Sequence, residues 1–354
     1  MVVGRGPRPE TSGYYPDYVA ISHTTSEFVD ERGDWNGSNE GVQLDLPCPI
    51  IAVNGVCEYD HHYAKECICN REWCQEVEGR CGGIDGAAHQ RRKARWLPKA
   101  RKIGGMGRFV FTVPPEVRSD YRTQESLGKL GTSAKRMMQR HGYKRGLRRW
   151  HFFGEDHPGH GLQGEGLPPY HPHLEVLTDG GWLKRKELGA IKRSWGNILH
   201  VPAYRINVYY QYIQPDDVKK KWHLLGYALR PTFTDWRWDE ELAYNLIGFH
   251  NAQTWGSKAD WEGPDLWGHP DVAMDQKLKE QELLEQGFCP FDKTPIKWGG
   301  LMSPKLLVQP WEPLGAGYWR WTTDQLRSHG TLEPLSGSSK CVPGLDGKSL
   351  KVVW

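Results

Sequence analysis

Two histidines one residue apart open a short apolar run, Tyr-His-Pro-His-Leu-Glu-Val-Leu, at residues 170–177. Side chains in a β-strand alternate between the faces of the sheet, so His171 and His173 are expected to point the same way. Two imidazoles on one face form half of a site for a divalent cation. The alternative is one exposed and one packed histidine in a loop after Pro169. The pair alone favours that alternative, but two further features favour the metal site.

Carboxylates just before the histidines are the first of these features. Glu155 and Asp156 end the preceding predicted strand, and in an antiparallel hairpin this end lies beside His171. A carboxylate there would complete a two-histidine-plus-oxygen set for Mg²⁺ or Mn²⁺. Glu175, on the same face as the histidines, is a further candidate. The alternative is that Glu155 and Asp156 are ordinary turn residues.

Tyr227 is the second feature and the candidate nucleophile. It lies on a helix predicted over 215–229, where His223 and Arg230 share its face. A phenol is a poor nucleophile at neutral pH because its ordinary pKa is about 10. Nearby cations favour the phenolate, and a metal ion on a phosphate lowers the barrier to attack. The alternative is a packed amphipathic side chain, which is the common role of a lone helical tyrosine.

The sequence around these residues predicts a mixed α+β fold. Periodicity and composition indicate strands at 108–113, 148–154, 170–177 and 204–213, and helices at 119–141, 184–195 and 215–229. The order β-α-β-β-α-β, followed by a helix, is that of a ferredoxin-like split βαβ antiparallel sheet. Helices on one face of such a sheet leave the other face for a substrate.

Composition divides the chain into four predicted segments. Residues 1–47 form a polar extension, and 48–103 form a cysteine-rich zinc module with a basic helix over 85–103. The ferredoxin-like domain occupies 104–255, and 256–354 form an irregular C-terminal extension that includes a helix at 271–286.

Cysteine is concentrated near the start of the chain, with six of eight residues between 48 and 81. In a reducing compartment such density indicates a structural zinc ion. We favour as its ligands Cys67, Cys69, Cys74 and Cys81, with Cys57 or Cys48 as replacements. The alternative is free buried thiols. Residues 289–292, Cys-Pro-Phe-Asp, resemble half of a zinc ribbon, but no second ligand pair is near in sequence, so we assign no metal to this motif.

Charge is unevenly distributed, although the whole chain carries a formal charge of only +3. Residues 89–150 contain 18 Lys and Arg against 3 Asp and Glu, whereas residues 1–88 contain 6 against 15. The basic block predicts contact with a nucleic-acid backbone rather than a solvated helix face of mixed charge. The candidate DNA-binding residues are Arg91, Arg92, Lys93, Arg95, Lys219, Lys220 and Arg230.

Membrane proteins and exported proteins are the classes that the sequence disfavours. No apolar run approaches the length of a transmembrane span. The first ten residues lack the apolar core of a signal peptide. We therefore expect a cytoplasmic protein with reduced thiols and no membrane partner.

Several motifs, in this order and spacing, resemble those of the HUH superfamily of single-strand DNA endonucleases. These enzymes initiate replication of rolling-circle plasmids and single-stranded DNA viruses and phages. The similar segments are 108–114 (first-strand motif), 153–156 (acidic strand end), 170–174 (histidine motif) and Tyr227, together with the basic stretch 91–98. The resemblance covers roughly residues 65–255, and it implies the HUH endonuclease fold.

The resemblance also implies a rolling-circle replication initiator that nicks and rejoins single-stranded or hairpin origin DNA. Tyr227 would form a 5′-phosphotyrosyl intermediate and release a 3′-hydroxyl, while His171 and His173 hold Mg²⁺ or Mn²⁺. Proline between the histidines departs from the usual bulky residue. No second tyrosine lies four residues from Tyr227, which predicts a single-tyrosine enzyme, although Tyr209, Tyr210 and Tyr212 keep a two-tyrosine scheme open.

An absent motif indicates which partner proteins such an initiator would need, and two alternative functions stay open. It contains no Gly-x-x-x-x-Gly-Lys-Ser/Thr loop, so a helicase and a polymerase of a bacterial or archaeal host are expected partners of this plasmid- or phage-encoded protein. One alternative is an HUH transposase of the single-strand type, which uses the same active site. The other is a non-catalytic zinc-containing DNA-binding protein, which leaves the histidine pair and Tyr227 unexplained.

Overall fold

Two five-stranded antiparallel sheets organise the part of the chain that the structure describes. This computed structural model describes residues 52–68, 81, 86–154, 170–233, 239–246, 248–268, 272–308, 310–322, 341–343 and 349–351. The mixed α+β class predicted from the sequence is confirmed. The predicted extension 1–47 lies outside the described residues.

The first sheet contains the predicted histidine strand. Its strands are β3 (Met106–Thr112), β4 (Gly146–Phe153), β5 (Tyr170–Asp179), β6 (Val208–Ile213) and β7 (Gln253–Trp255). They lie side by side in the order β6-β3-β5-β4-β7. The helices between them are α2 (Gln124–Arg140), α3 (Arg185–Leu199), α4 (Val218–Leu229) and the short α5 (Glu240–Asn245). Each predicted strand and helix of this region is therefore present, with its ends shifted by a few residues.

One face of the first sheet is apolar and packs against α2 and α3. Phe109 and Phe111 of β3 and Leu174 of β5 are fully buried in this core. On α3, Trp195 packs into the same core, and its Nε1–H donates to the Thr112 carbonyl at 3.0 Å. Because side chains alternate along a strand, the opposite face of β5 carries His171, His173 and Glu175.

The opposite face packs against α4 and α1 (Ala87–Ala100). Leu97 of α1 and Leu225 of α4 join Leu147 and Leu177 of the sheet in a second apolar core. α4 begins where the Asp217 side chain accepts a hydrogen bond from the Lys220 backbone N–H at 3.1 Å, as expected of an N-cap. These contacts fix α4 across the face that carries the histidines.

The second sheet combines strands from the N-terminal and C-terminal parts of the chain. Its strands are β1 (Ala52–Val56), β2 (His62–Glu66), β8 (Lys297–Met302), β9 (Trp311–Gly315) and β10 (Tyr318–Trp321), in the order β8-β1-β2-β10-β9. α6 (Val272–Glu285) lies against α1 and β9. The helix predicted at 271–286 is present as α6. The expectation that 256–354 is otherwise irregular is wrong for the described part of this region, which supplies β8, β9 and β10 to the second sheet.

The remaining elements are short. Single turns of 3₁₀ helix occupy Ala203–Arg205, Ala259–Trp261 and Pro304–Leu306, and a longer one occupies Pro115–Tyr121. β11 (Cys341–Pro343) and β12 (Ser349–Lys351) pair with each other. Among the helices described, none combines the length and the apolar character needed to cross a membrane.

Candidate functional site

Three histidines lie together on the face of the first sheet below α4. The pairing of β4 with β5 sets His151 directly opposite His173, and the two ring centroids are 5.2 Å apart. The His171 ring lies 5.8 Å from the His173 ring and is half-buried at the start of β5. The predicted pair is therefore adjacent, and His151 adds an imidazole that the sequence analysis did not include.

Hydrogen bonds orient two of these rings. His173 Nδ1 lies 3.0 Å from the His171 carbonyl oxygen, and His151 Nε2 lies 3.0 Å from the Ala228 carbonyl oxygen. A carbonyl can only accept, so each of these nitrogens carries the proton and donates. In a neutral imidazole with this proton position, the other ring nitrogen carries a lone pair, as a metal ligand must.

His151 is suited to a neutral, ligating state. It is 2 % exposed, and its Nδ1 atom has no hydrogen-bond partner among the residues that the structure describes. Burial, together with the neighbouring His173 and Arg230, lowers the pKa of His151 well below its ordinary value. A buried acceptor without a partner is costly, and a bound cation would satisfy it.

Glu175 completes a cluster that could hold a metal ion. One ligand atom from each of His151, His173 and Glu175 can be chosen so that all lie within 4.8 Å of one another. The Glu175 carboxylate is buried and accepts two hydrogen bonds from Arg108, from Nη2 at 2.7 Å and from Nε at 2.9 Å. This bidentate pair fixes the carboxylate beside the imidazoles and offsets its charge.

Tyr227 lies on α4 next to this cluster. Its ring centroid is 5.8 Å from that of His151. Two guanidinium groups flank the ring, with the Cζ atom of Arg230 at 4.2 Å and that of Arg108 at 4.8 Å from the centroid. Arg230 Nη2 also donates to the phenolic oxygen at 3.1 Å. The residue as a whole is half-buried.

The predicted acidic ligands, Glu155 and Asp156, lie outside the described residues, and their role stays a prediction. His151 was missed because the segment Arg-Trp-His-Phe-Phe contains no second histidine at the two-residue spacing that marks His171 and His173. The signal that could have found it is the hairpin register, which places it opposite His173.

Arg91 of α1 does not have the surroundings expected of a DNA-binding residue. It is fully buried, and its guanidinium donates to the carbonyl oxygens of Ala316 at 2.7 Å and of Glu66 at 2.6 Å. Its Nε atom lies 3.6 Å from Glu285 Oε1. The guanidinium therefore links α1 to the second sheet, beyond the reach of a phosphate in this structure.

The other predicted DNA-binding residues differ in exposure. Arg92 donates to the Leu229 carbonyl at 3.1 Å, and Arg95 Nε lies 3.3 Å from Glu285 Oε2. Lys93 is half-buried. Lys219 and Lys220 are exposed at the start of α4, and Arg230 bonds to Tyr227. Their contact with DNA remains a prediction, and Arg95, Lys219 and Lys220 are its exposed members.

Acidic residues from distant segments offset part of the basic block. Arg101, Arg122 and Arg145 form ion pairs with Asp275, Asp239 and Asp179, respectively. None of these acids lies in 89–150, so the local charge count overstates the positive charge that the folded block presents.

The predicted zinc ligands lie only in part among the described residues, so that site stays a prediction. Cys67 and Cys81 are buried, whereas Cys69, Cys74 and Cys48 lie outside the described residues. A different cluster, which could hold a metal ion, consists of Cys57, His61, Cys289 and Asp292. Cys289 and Asp292, which have no second ligand pair near in sequence, thus gain one from the turn that follows β1.

Comparisons with known proteins give no family for this chain. No protein-family model matches it, and neither a curated protein nor a solved structure does. The resemblance to the HUH superfamily therefore rests on the sequence motifs.

Proposed function

We propose that this chain is an HUH-type endonuclease and strand transferase that initiates rolling-circle replication. It would nick and rejoin single-stranded DNA through a phosphotyrosyl bond at Tyr227. The observation that carries the proposal is the position of Tyr227, whose ring lies 5.8 Å from His151 and whose oxygen is bonded to Arg230. A packing tyrosine needs neither a cluster of metal-ligating side chains nor two guanidinium groups beside its ring.

The strand order of the first sheet supports the fold part of the proposal. If β3, β4, β5 and β6 are numbered one to four, they lie in the order 4-1-3-2, with β7 added beside the second strand. Helices connect the first strand to the second and the third to the fourth. This arrangement is the one expected of the ferredoxin-like split βαβ unit.

Mg²⁺ or Mn²⁺ would be held by His173 and His151, with Glu175 or His171 completing the set. The lone pairs of the two buried imidazoles and the carboxylate clamped by Arg108 are suitable donors for such ions. When bound, the ion supplies charge neutralisation at the scissile phosphate. Glu155 and Asp156 remain predicted ligands from the segment that follows β4.

The residues around Tyr227 account for its proposed reactivity. Arg230 donates to the phenolic oxygen, and Arg108 adds positive charge near the ring, so negative charge on that oxygen is stabilised. The oxygen attacks phosphorus, an O–P bond forms, and the bond to the 3′-oxygen breaks. The phenolic proton is lost to solvent and the departing 3′-oxygen gains one. Attack by the 3′-hydroxyl reverses these steps and reseals the strand.

The test is covalent capture on DNA. Labelled single-stranded DNA covering the gene and its flanks is incubated with the chain and Mn²⁺, then separated on a denaturing gel. We expect a protease-sensitive adduct that is absent with chelator and absent for Tyr227→Phe. Tyr209→Phe and Tyr212→Phe are matched controls that should keep it.

Each other outcome has a defined meaning. An adduct formed by Tyr227→Phe and lost in Tyr209→Phe would move the nucleophile to β6. A dissociable complex without any adduct would favour the non-catalytic DNA-binding alternative. Joining of two different labelled strands, rather than resealing of one, would favour the transposase alternative.

A further inference from the structure

Two turns from distant parts of the sequence meet at one end of the second sheet. The first, from Cys57 to His61, joins β1 to β2 and is closed by the Cys57 N–H donating to the His61 carbonyl at 3.1 Å. The second follows α6 and is closed by the Cys289 N–H donating to the Thr294 carbonyl at 2.9 Å. Each turn therefore presents two metal-ligating side chains from a tightly bonded loop.

The ligand atoms of the two turns are spaced as around a small tetrahedral ion. His61 Nδ1 lies 3.4 Å from Cys57 Sγ and 3.5 Å from Cys289 Sγ. Asp292 Oδ2 lies 3.1 Å from Cys57 Sγ and 2.9 Å from His61 Nδ1. Zinc bonds of about 2.0–2.3 Å in a tetrahedron separate ligand atoms by roughly 3.3–3.8 Å. Small outward shifts of these side chains would accommodate the ion.

Neighbouring groups contact these four side chains and orient them, as residues that hydrogen-bond to metal ligands do in metal sites. The Oδ1 atom of Asp292 accepts from the Thr294 N–H at 2.8 Å and from its hydroxyl at 2.6 Å, which directs Oδ2 to the thiol and the imidazole. The Tyr63 hydroxyl lies 3.1 Å from Cys289 Sγ, and the Phe291 ring lies 5.0 Å from the His61 ring. Such supporting contacts hold metal ligands in place.

We propose that Cys57, His61, Cys289 and Asp292 bind one structural zinc ion. Two thiolates with an imidazole favour zinc over Mg²⁺ or Mn²⁺, and four protein ligands leave no open position for a substrate. This site is separate from the histidine cluster on the first sheet, and it stands whether or not the chain is a nuclease.

The ion would stabilise the second sheet. It joins the β1–β2 hairpin to the loop that precedes β8, and β8 pairs with β1 in the same sheet. The apolar core at this place is small, formed by Cys57, Tyr63, Leu284, Cys289, Ile296, Leu314, Ala316 and Tyr318. A metal ion that cross-links two distant segments contributes folding energy that a core of this size does not supply.

Zinc content of the purified full-length chain tests the proposal. After incubation with Zn²⁺ and desalting, we expect Cys289→Ser and Asp292→Ala to lose about one equivalent relative to the unmodified chain. Cys341→Ser, a change at a cysteine that is isolated in the sequence, should lose none. Asp292→Cys should retain zinc, because a thiolate replaces the carboxylate. Zinc content that is unchanged by Cys289→Ser would overturn the assignment.

Cobalt substitution covers the case in which a variant does not fold. Co²⁺ added to the unmodified chain should give the intense visible bands of tetrahedral cobalt, with sulfur-to-metal absorption for two thiolates. A sulfur-to-metal absorption as intense as that of four thiolates, without the weaker absorption of a two-thiolate site, would place the ion at the other cysteines. That result would contradict the proposal. Absence of tetrahedral bands would contradict it as well.

Discussion

The Nε2–H group of His151 donates to the Ala228 carbonyl at 3.0 Å, and this bond joins β4 to the helix that carries Tyr227. Ala228 is the residue after Tyr227, so the bond fixes the candidate nucleophile relative to the histidine cluster. The same imidazole keeps its Nδ1 lone pair for a cation. In the proposed function, His151 would therefore link metal binding to the position of Tyr227.

Replacing this histidine should weaken metal binding. For His151→Gln we expect affinity for Mn²⁺ to fall at least ~10–100-fold, since a ligand is lost rather than only its orientation. Covalent adduct formation should fall with it. Titration calorimetry with Mn²⁺ measures the first effect and the adduct assay measures the second. His141→Gln is the control, because His141 bonds Ser194 between α2 and α3. Unchanged Mn²⁺ affinity in His151→Gln would exclude it as a ligand.

Arg230 should affect the rate at which Tyr227 reacts. Its guanidinium donates to the phenolic oxygen at 3.1 Å, and a hydrogen bond from a charged donor contributes about 1.5–3 kcal/mol. Arg230→Gln should therefore slow adduct formation by roughly 10–100-fold. The rate is measured in a single turnover at saturating DNA, so that weaker binding does not contribute. Arg140→Gln, at an exposed position of α2, should react at the unmodified rate, and an equal rate in Arg230→Gln would contradict the proposed role.

Local sequence patterns were sufficient to locate the elements of the first sheet. The β-branched and aromatic content of Arg-Phe-Val-Phe-Thr predicted β3, and the spacing of Leu127, Leu130 and Ala134 predicted α2. The histidine pair and Tyr227 could be found for the same reason, since each depends on neighbours within a few residues.

Residues that depend on tertiary contacts could not be found in this way. His151 required the register of β4 against β5, and the partners of Cys57 are Cys289 and Asp292, which come from the other end of the chain. Arg91 counts as a positive charge in the sequence, but its partners are carbonyl oxygens of a sheet that both ends of the chain build.

Arg91 should therefore contribute to stability. Arg91→Gln removes a buried cation near Glu285, and we expect the free energy of unfolding in urea to fall by about 2–4 kcal/mol. The control is Lys219→Gln with Lys220→Gln, two exposed changes that should leave stability almost unaltered. If Arg91→Gln is as stable as the unmodified chain but binds DNA more weakly, Arg91 belongs to the DNA interface.

Lys219 and Lys220 should affect DNA binding rather than stability. If both contact phosphates, the double variant should bind single-stranded DNA more weakly at low salt. The slope of log affinity against log salt should fall by up to about 1.4, since each phosphate contact on a single strand contributes about 0.7. Fluorescence anisotropy over a range of salt concentrations measures this slope. An unchanged slope would place the start of α4 outside the DNA interface.

Glu282 should make stability depend on pH. Burial raises its pKa to about 7, although Arg101 Nη1 at 3.3 Å acts in the opposite direction. The folded state thus binds the proton more tightly than the unfolded chain, whose carboxyl has an ordinary pKa of about 4.3. The stability contributed by this group is fully present below that value and is lost as pH rises through about 7.

Urea unfolding from about pH 5 to about pH 8 measures the effect. Over this interval the unmodified chain should lose roughly 2–3 kcal/mol relative to Glu282→Gln, whose side chain does not titrate. Glu262→Gln, at an exposed position, is the control for removing a carboxylate. A difference between the unmodified chain and Glu282→Gln that stays constant over the interval would show that Arg101 keeps the carboxylate ionised throughout.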